Sequence, residues 1–200
     1  RSARVAHNGI SSVTDESVSA LKEIADRLYF DAALEEDIST KILSDTEVSD
    51  YASDKLYSIR REIRALNERI RVRLSEYLTG EEGKYLQDGI ITMRDNRYVL
   101  PVRAEYKRNI KGFIHDRSAS GATFFIEPEQ VLEMNNELRS LAIDEKEEVE
   151  RILGELSRRA GFMGDDLLRD IEVLEELDGC YARAEYCYKL SCVRPEVNDR

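Results

Sequence analysis

A helical pattern runs through residues 54–78, DKLYSIRREIRALNERIRVRLSEYL. Its apolar side chains recur every three or four positions, at Leu56, Ile59, Ile63, Leu66, Ile70 and Leu74. Charged residues, mostly arginine and glutamate, fill the positions between them, which leaves one narrow apolar seam. The pattern predicts a helix about 37 Å long that packs lengthwise against one or two partner helices. Gly80 and Gly83 are expected to end it.

The spacing of the apolar residues changes within 89–127. Four β-rich runs occur there in two pairs, 90–93 with 98–102 and 110–115 with 122–126. Asp95 and Asn96 separate the first pair, and a small polar stretch at 116–121 separates the second. Both are turn compositions. We predict two β-hairpins that together form one four-stranded antiparallel sheet.

We expect the four strands to lie side by side in chain order, each antiparallel to the one before it. The turns at 95–96 and 117–121 would then lie at the end of the sheet far from the helices, and the loop 104–109 would lie near them. Pro101 cannot donate a ladder hydrogen bond, so its strand is expected at an edge of the sheet or with a bulge.

A second long helical pattern follows the sheet. Pro128 suits the first turn of a helix, and apolar residues at helical spacing continue to about residue 160. Gly161 and Gly164 are expected to kink or break this helix. Since a compact sheet joins the two long helices, they must run antiparallel. The sequence thus predicts a mainly α fold with a small antiparallel β insertion, in which a long coiled-coil-like helix pair is capped by a four-stranded β tip.

Charge is divided unevenly between this tip and the rest of the chain. The 200 residues include 30 Lys and Arg against 41 Asp and Glu, a net charge of −11, whereas domains built mainly to grip nucleic acid are usually basic. Residues 84–127 nevertheless hold eight cations and five acids, which leaves 22 cations and 36 acids elsewhere. A phosphate backbone should therefore be met at the tip.

Composition also limits the environment of the chain. Its three Cys form no C-x-x-C pair and are odd in number, so we expect reduced thiols in the cytoplasm rather than a disulfide framework. No apolar run approaches the roughly 18–20 residues that span a bilayer, so no membrane partner is expected. The chain starts with Arg and ends without a helical pattern, and we expect it to be an excised piece of a longer protein.

A further signal comes from four stretches: ITMRDNRYVLPVRAEY at 91–106, IKGFIHDRSASGAT at 110–123, FFIEP at 124–128 and NNEL at 135–138. Together they resemble the clamp region of the MutS family. The nearest branch is the MutS-two branch, the bacterial paralogue that lacks the mismatch-reading domain and carries a C-terminal Smr nuclease domain. A weaker likeness extends over roughly residues 30–199. Two departures stand out: Asn96 occupies a turn position where the family often has Gly, and Arg117 adds charge at the second turn.

The resemblance implies five parts of the chain: an N-terminal helical core and lever portion (1–53), an outgoing lever helix (54–83), a β clamp tip (84–127), a returning lever helix (128–160) and a helix returning to the core (161–200). In that family two subunits form a homodimer that closes around its target. ATP, with Mg²⁺, binds a separate domain and moves the levers.

The resemblance also implies what the parent protein does. It is linked to suppression of homologous recombination through branched DNA, with endonuclease activity in its Smr domain. It is also linked to recognition of stalled, collided ribosomes, which it splits by ATP hydrolysis. Branched DNA and ribosomal RNA both present phosphate backbones, so the target stays open at this point.

The segment itself is expected to be non-catalytic. It contains no G-x-x-x-x-G-K-[ST] motif for a nucleoside triphosphate, so ATP and Mg²⁺ belong to the parent. His115 and Asp116 are adjacent along a predicted strand and should point to opposite faces, which prevents an oriented hydrolase relay. His7 and His115 lack the surrounding ligands that a metal site needs.

Contacts with phosphate are expected from cations and hydroxyls of the tip. The predicted contact residues are Arg94, Arg97, Arg117, Ser118, Ser120, Lys111, Lys107 and Arg108. The three tip arginines among them sit beside acids, Asp95 and Asp116, and could instead pair across strands. The turn 118–121 could offer backbone N–H groups to an anion or be an ordinary hairpin turn. Asn135 and Asn136 are expected to brace the start of the returning helix.

A competing hypothesis assigns no nucleic-acid role to the chain. The acidic helices would then form a protein–protein interaction or dimerising module.

Overall fold

The computed structural model describes residues 1–193. This part of the chain contains helices α1 (Ser2–Ser11), α2 (Ser19–Ala25), α3 (Ala32–Lys41), α4 (Asp54–Thr79), α5 (Glu129–Phe162) and α6 (Gly164–Lys189). Its strands are β1 (Ile42–Ser44), β2 (Glu47–Val48), β3 (Thr92–Arg94), β4 (Arg97–Arg103), β5 (Gly112–Arg117) and β6 (Thr123–Pro128). The prediction of a mainly α fold with a small antiparallel β part is confirmed. The end of the predicted segment 161–200 lies outside the described residues.

Two compact units make up the described chain, residues 44–152 and residues 1–43 with 153–193. The first contains α4, the four-stranded sheet and most of α5. Helix α4 begins where the Ser53 hydroxyl accepts the Leu56 N–H at 3.0 Å, a standard N-cap. It ends at Gly80, whose N–H donates to the Glu76 carbonyl at 2.9 Å.

The apolar seam of the sequence is the buried face of α4. Five of its six residues are buried and the sixth, Ile63, is partly buried. The C-terminal half of the seam packs into one core with α5 and the sheet, formed by Leu66, Ile70, Leu74, Leu86, Tyr98, Leu100, Val102, Ile110, Ile126, Val131 and Leu138. A buried leucine of this kind contributes about 2–5 kcal/mol relative to alanine, so this core holds the sheet on the helices.

Polar contacts show that α4 and α5 run antiparallel. The Ser53 hydroxyl donates to the Glu148 carboxylate at 2.8 Å, and the Arg60 guanidinium donates to Glu145 at 2.7 Å. Residue numbers therefore rise along α4 as they fall along α5. This is the direction that the sequence predicted.

The strand order differs from the expected up-and-down order. Neighbouring strands lie in the order β3-β4-β6-β5, and every neighbouring pair is antiparallel. Strands β4 and β5 therefore point the same way, and residues 104–111 must return along the sheet to connect them. Ile110 in this crossover is buried in the core, and Tyr106 packs against it. The apolar β6 takes the central position because burial rewards it there, whereas β5 is left at an edge.

The two turns consequently lie at opposite ends of the sheet, and the expectation that they lie together is wrong. Arg94 pairs with Arg97 beside the 95–96 turn, at the end where β6 runs into α5. Arg103 pairs with Thr123 at the other end, beside the 118–122 turn. We call these the Asn96 end and the Ser118 end of the sheet.

The prediction for Pro101 needs a correction. Its strand β4 is central, and the bulge lies instead in β5, between Ile114 and Asp116. The Pro101 carbonyl accepts the Gln87 N–H at 2.8 Å, so its nitrogen points to that same side, away from β6. Strand β3 pairs only as far as Val99. Pro101 therefore lies beyond the part of β4 that pairs with β3, so its missing N–H removes no hydrogen bond between these strands.

The other unit combines the N-terminal helices with α6. Its small core contains Ala3, Leu28 and Val173, and the buried Asp170 carboxylate accepts the Tyr29 N–H at 2.7 Å. Helix α1 was not predicted from the sequence. Its residues include Gly9 and few strong helix formers, so packing rather than intrinsic propensity stabilises it.

A buried carboxylate braces the helix pair near the start of α4. Glu148 is 1% exposed and accepts hydrogen bonds from Ser53 and Arg151, with the Lys55 ammonium at 3.3 Å. The Arg151 hydrogen bonds, helped by Ser53 and Lys55 and opposed by burial, lower the pKa of Glu148 from 4.5 to about 2. A carboxyl group whose folded pKa is depressed stabilises the fold above its unfolded pKa and loses that contribution as the pH falls toward the folded pKa.

Replacing Glu148 should therefore change the acid stability of the chain. Wild type should lose up to about 3 kcal/mol of unfolding free energy between pH 5 and pH 2 through this group, and Glu148→Gln should lack that part of the pH dependence. Urea unfolding at a series of pH values measures it. Glu147→Gln is the matched control, because Glu147 is exposed and has no ion-pair partner within residues 1–193. Equal pH dependence in wild type and Glu148→Gln would contradict the assignment.

Candidate nucleic-acid interface

The first hairpin turn suits Asn96 as well as glycine. Asp95 and Asn96 have positive φ values of 50° and 59°, as both central residues of a type I′ turn require. Asn and Asp tolerate this conformation better than other non-glycine residues. The departure from the family pattern at this turn therefore leaves the hairpin intact.

Arg97 is held inside the fold rather than presented to solvent. Its guanidinium donates to Glu127 at 2.7 Å and to the side-chain oxygen of Asn136 at 2.6 Å. The Arg97 side chain is 14% exposed and the Glu127 side chain is fully buried. The partner of Arg97 is thus Glu127, not the neighbouring Asp95.

Glu127 collects donors from three elements. Besides Arg97 on β4, it accepts the Asn135 side-chain N–H from α5 at 2.6 Å and lies 2.5 Å from His115 Nε2 on β5. Asn135 also exchanges two hydrogen bonds of 3.1 Å with the backbone of Tyr98. A buried carboxylate is tolerated only when it is paired and hydrogen-bonded, so this cluster fixes how β4, β5, β6 and the start of α5 meet.

The close approach of β5 to β6 also requires a glycine. A Cβ at position 112 would overlap the backbone carbonyl of Glu127. Gly112 therefore lets the strand that carries His115 reach the buried carboxylate.

The sequence did not predict the pairing of His115 with Glu127. The register beside the 118–122 turn would place His115 opposite Ile126, on the other face of the sheet from Glu127. The bulge between Ile114 and Asp116 shifts this register by one residue and lets His115 reach Glu127, and since no signal in the sequence marked the bulge, none could have found the pairing. Asp116 pairs instead with Arg94, at 3.4 Å. His115 and Asp116 therefore have separate partners.

Arg94 is partly fixed on the sheet surface. Its guanidinium carbon lies 4.0 Å from the centre of the Phe125 ring, and its Nε faces Asp116. The side chain is still 41% exposed. Of the two acids expected to pair with tip arginines, Asp116 does so, and it leaves part of the Arg94 guanidinium open to solvent.

The turn at the Ser118 end is closed by its own hydrogen bonds. The N–H groups of Ser118 and Gly121 donate to backbone carbonyls of the turn at 2.9 and 2.8 Å, and the Ser118 hydroxyl accepts the Thr123 N–H at 3.0 Å. These are the contacts of an ordinary hairpin turn. Ser120 is exposed, and a contact of either hydroxyl with phosphate stays a prediction.

The exposed cations of residues 84–127 lie mainly in the crossover 104–111, in β5 and at the Ser118 end. Arg103, Arg108, Lys111 and Arg117 are exposed and have no carboxylate within ion-pair distance among the described residues. Lys107 is exposed too, with its ammonium 5.0 Å from the Phe124 ring centre. Arg103 was not among the predicted contacts, although it is cross-strand partner to Thr123 at the same end as Arg117. We refer to these five residues as the basic surface.

The described residues contain neither a metal-binding cluster nor a membrane-spanning helix. Within 1–193, no group of three or more His, Cys, Asp or Glu side chains is arranged to hold a metal ion. None of the helices in this range combines the length and hydropathy that crossing a bilayer requires.

The fold and its surface define a mainly helical segment in which a long antiparallel helix pair carries a small antiparallel sheet with unpaired cations. No protein-family model matches the chain. Three curated proteins named Endonuclease MutS2 are similar to it over nearly its whole length. The protein of Caldanaerobacter subterraneus subsp. tengcongensis is 45% identical over 183 residues, which are 92% of this chain and 23% of that protein.

The proteins of the same name from Geobacillus thermodenitrificans and Clostridioides difficile are 45% identical over 194 residues and 40% identical over 202 residues. These matches cover 96% and 100% of this chain but 25% and 26% of those proteins. The chain is a MutS2-like segment. It spans about a quarter of the length of the curated relatives that it matches.

Two arginines that look alike in the sequence should differ in their effect on stability. Arg97→Ala leaves Glu127 buried without its guanidinium partner and should cost about 3–5 kcal/mol of unfolding free energy. Arg94→Ala removes a largely solvated pair and should cost about 1 kcal/mol or less. Urea denaturation at neutral pH measures both. Similar losses in the two variants would show that the Glu127 cluster does not hold the sheet.

Proposed function

We propose that this chain is the nucleic-acid-binding, non-catalytic segment of a MutS2-type endonuclease, and that the basic surface contacts the phosphate backbone. The observation that carries the proposal is the set of unpaired cations. Within residues 103–117 there are five Lys and Arg against two acids, Glu105 and Asp116, and Asp116 is occupied by Arg94. In a chain of net charge −11, this local excess is the place where a polyanion meets least repulsion.

The physiological target in this proposal is branched DNA or the ribosomal RNA of a stalled or collided ribosome. Both present regularly spaced phosphates, which cations recognise without reading sequence. In the whole protein, ATP and Mg²⁺ bound outside this segment would drive a motion, and two subunits would close their sheets around the target. The whole protein would act in the cytoplasm in suppression of homologous recombination and in ribosome rescue.

The helix pair is suited to relay such a motion. The α4–α5 contact combines an apolar core with ion pairs near the start of α4, Lys55 with Glu148 at 3.3 Å and Arg60 with Glu145 at 2.7 Å. Arg60 also pairs with Asp50, just before α4, at 2.7 Å. Hydrogen bonds from Arg60 and Arg64 lower the pKa of Asp50, with Arg60 as the main cause. Interlocked contacts of this kind let the pair move as one rigid arm, which supports assigning it the role of a lever and the sheet the role of a clamp tip.

The phosphate contacts proposed here differ in part from those predicted from the sequence. Arg97 and its partner Glu127 serve the fold, so removing Arg97 would confuse loss of binding with loss of structure. Arg94 keeps an exposed part beside the Phe125 ring. We therefore assign phosphate contact first to Arg103, Lys107, Arg108, Lys111 and Arg117.

The second candidate is a protein–protein interaction module. Helix α6 favours it, because several of its large apolar side chains are strongly exposed, among them Leu168 at 64%, Ile171 at 54% and Tyr181 at 67%. Sedimentation of the chain separates the candidates. A stable dimer without affinity for nucleic acid would favour this module over the nucleic-acid proposal.

A charge-removal experiment tests the first proposal. Replacing Arg108, Lys111 and Arg117 together by alanine should weaken binding to a labelled duplex. Each lost phosphate contact should lower the slope of log affinity against log salt by about 0.9. Fluorescence anisotropy at several salt concentrations measures both quantities.

The matched control replaces Arg61, Arg69 and Arg139, which are exposed on α4 and α5 and have no ion-pair partner within the described residues. It has the same net charge as the first variant and should bind nearly as wild type does. If the two triple variants lose affinity equally, binding follows net charge and the basic surface is not the site.

A further inference from the structure

Strand β5 exposes two large apolar side chains at the edge of the sheet. Phe113 is 55% exposed and its neighbour Ile114 is 53% exposed. Adjacent strand residues point to opposite faces, so the strand is open to solvent on both sides. Phe113 is one of only five Phe in a chain without Trp, and its ring is exposed on a strand flanked by the cations Lys111 and Arg117.

The strand register places Phe113 on the face of the sheet opposite to that of the core residues Leu100 and Ile126. Phe113 pairs with Glu127, and Phe125 lies on the same face of β6 two residues away. The residues that pack on α4 and α5, such as Leu100 and Ile126, have the opposite parity. The Phe113 ring therefore contributes nothing to the core, and its apolar surface needs another explanation.

A second planar group lies on this face. The guanidinium of Arg94 lies over the Phe125 ring at 4.0 Å and is held from one side by Asp116 at 3.4 Å. A guanidinium held by a ring and a carboxylate is preorganised and can present its open side to another flat group. Phe113 and Arg94 together offer an aromatic and a cationic plane on one sheet face.

Cations bracket the strand that carries Phe113. Lys111 precedes it and Arg117 ends it, and both are exposed without a carboxylate partner among the described residues. A ligand that satisfies this surface must be anionic along its backbone and must carry flat apolar groups that are free to stack. Single-stranded nucleic acid has both properties, whereas the bases of a duplex are already stacked on one another.

We propose that Phe113, with the Arg94 guanidinium on the same sheet face, is a stacking site for unpaired nucleobases. The site would make the chain prefer single-stranded regions over continuous duplex. This inference rests on the proposed function, since the basic surface must first bring the phosphate backbone to the sheet. It adds the structural class of nucleic acid that the surface selects.

The test compares two probes on the 200-residue chain. One is a thymidine oligonucleotide of about 16 residues, the upper site size of a small binding fold, with one 2-aminopurine at its centre. The other is a duplex of the same length. Base stacking on an aromatic side chain is lost in Phe113→Ala, so single-strand affinity should fall about fivefold or more while duplex affinity changes less than about twofold. Phe113→Tyr should restore the single-strand affinity.

Two further variants make the result specific. Ile114→Ala removes an equally exposed apolar side chain from the opposite face and should leave both affinities unchanged. Phe113→Leu keeps an apolar side chain on the strand but removes the ring, so it should behave as Phe113→Ala does. Quenching of 2-aminopurine fluorescence on binding reports stacking directly, and it should be present in wild type and in Ile114→Ala and absent in Phe113→Ala and Phe113→Leu.

The possible outcomes separate this site from the basic surface. If Arg117→Ala weakens both probes while Phe113→Ala weakens neither, or weakens both equally, the stacking site is overturned and the basic surface stands. If wild type binds neither probe, the proposed function fails and the stacking site fails with it.

Discussion

The buried carboxylate of Glu127 fixes the geometry of the sheet. An ionised carboxylate loses several kcal/mol on leaving water, and here it recovers that cost through donors from Arg97, His115 and Asn135, each at 2.5–2.7 Å. These donors come from two neighbouring strands and from the helix that follows. Because β6 lies between β4 and β5, Glu127 reaches donors on both neighbouring strands, so one charge ties together elements that are distant in sequence.

This constraint also sorts the cations of the sheet by role. The Arg97 guanidinium neutralises a buried carboxylate and so stabilises the fold. Moving it to a ligand would leave Glu127 without its guanidinium partner. A guanidinium such as that of Arg117, which has no carboxylate within ion-pair distance among residues 1–193, is available to a partner. The basic surface therefore consists of cations that pair with no carboxylate among the described residues. It lies on the sheet and crossover that pack on the α4–α5 helix pair.

Two polar ties, one near the start of α5 and one near its middle, connect the fold to the proposed relay. Near residue 135 the helix is tied to the sheet through Asn135, and near residue 148 it is tied to the start of α4 through Glu148 and Ser53. The Asn135 tie is buried and the Ser53–Glu148 tie is partly buried, so solvent weakens them less than it weakens surface ion pairs. In the proposed relay, these ties would pass a displacement of the helix pair on to the sheet.

Local signals in the sequence determined the helical parts of this protein that matter most. The seam from Leu56 to Leu74 follows from apolar spacing, since a helix shows its buried face in its own sequence. The antiparallel return follows from the compact sheet between the two helices, and the break near Gly164 follows from its glycines. Only the tertiary structure decided the strand order, the bulge in β5, and which of Arg94 and Arg97 pairs with the buried Glu127. The reason is that neighbouring strands and charge partners are chosen by burial among residues far apart in the chain, and two arginines three positions apart look the same until one of them faces a buried acid.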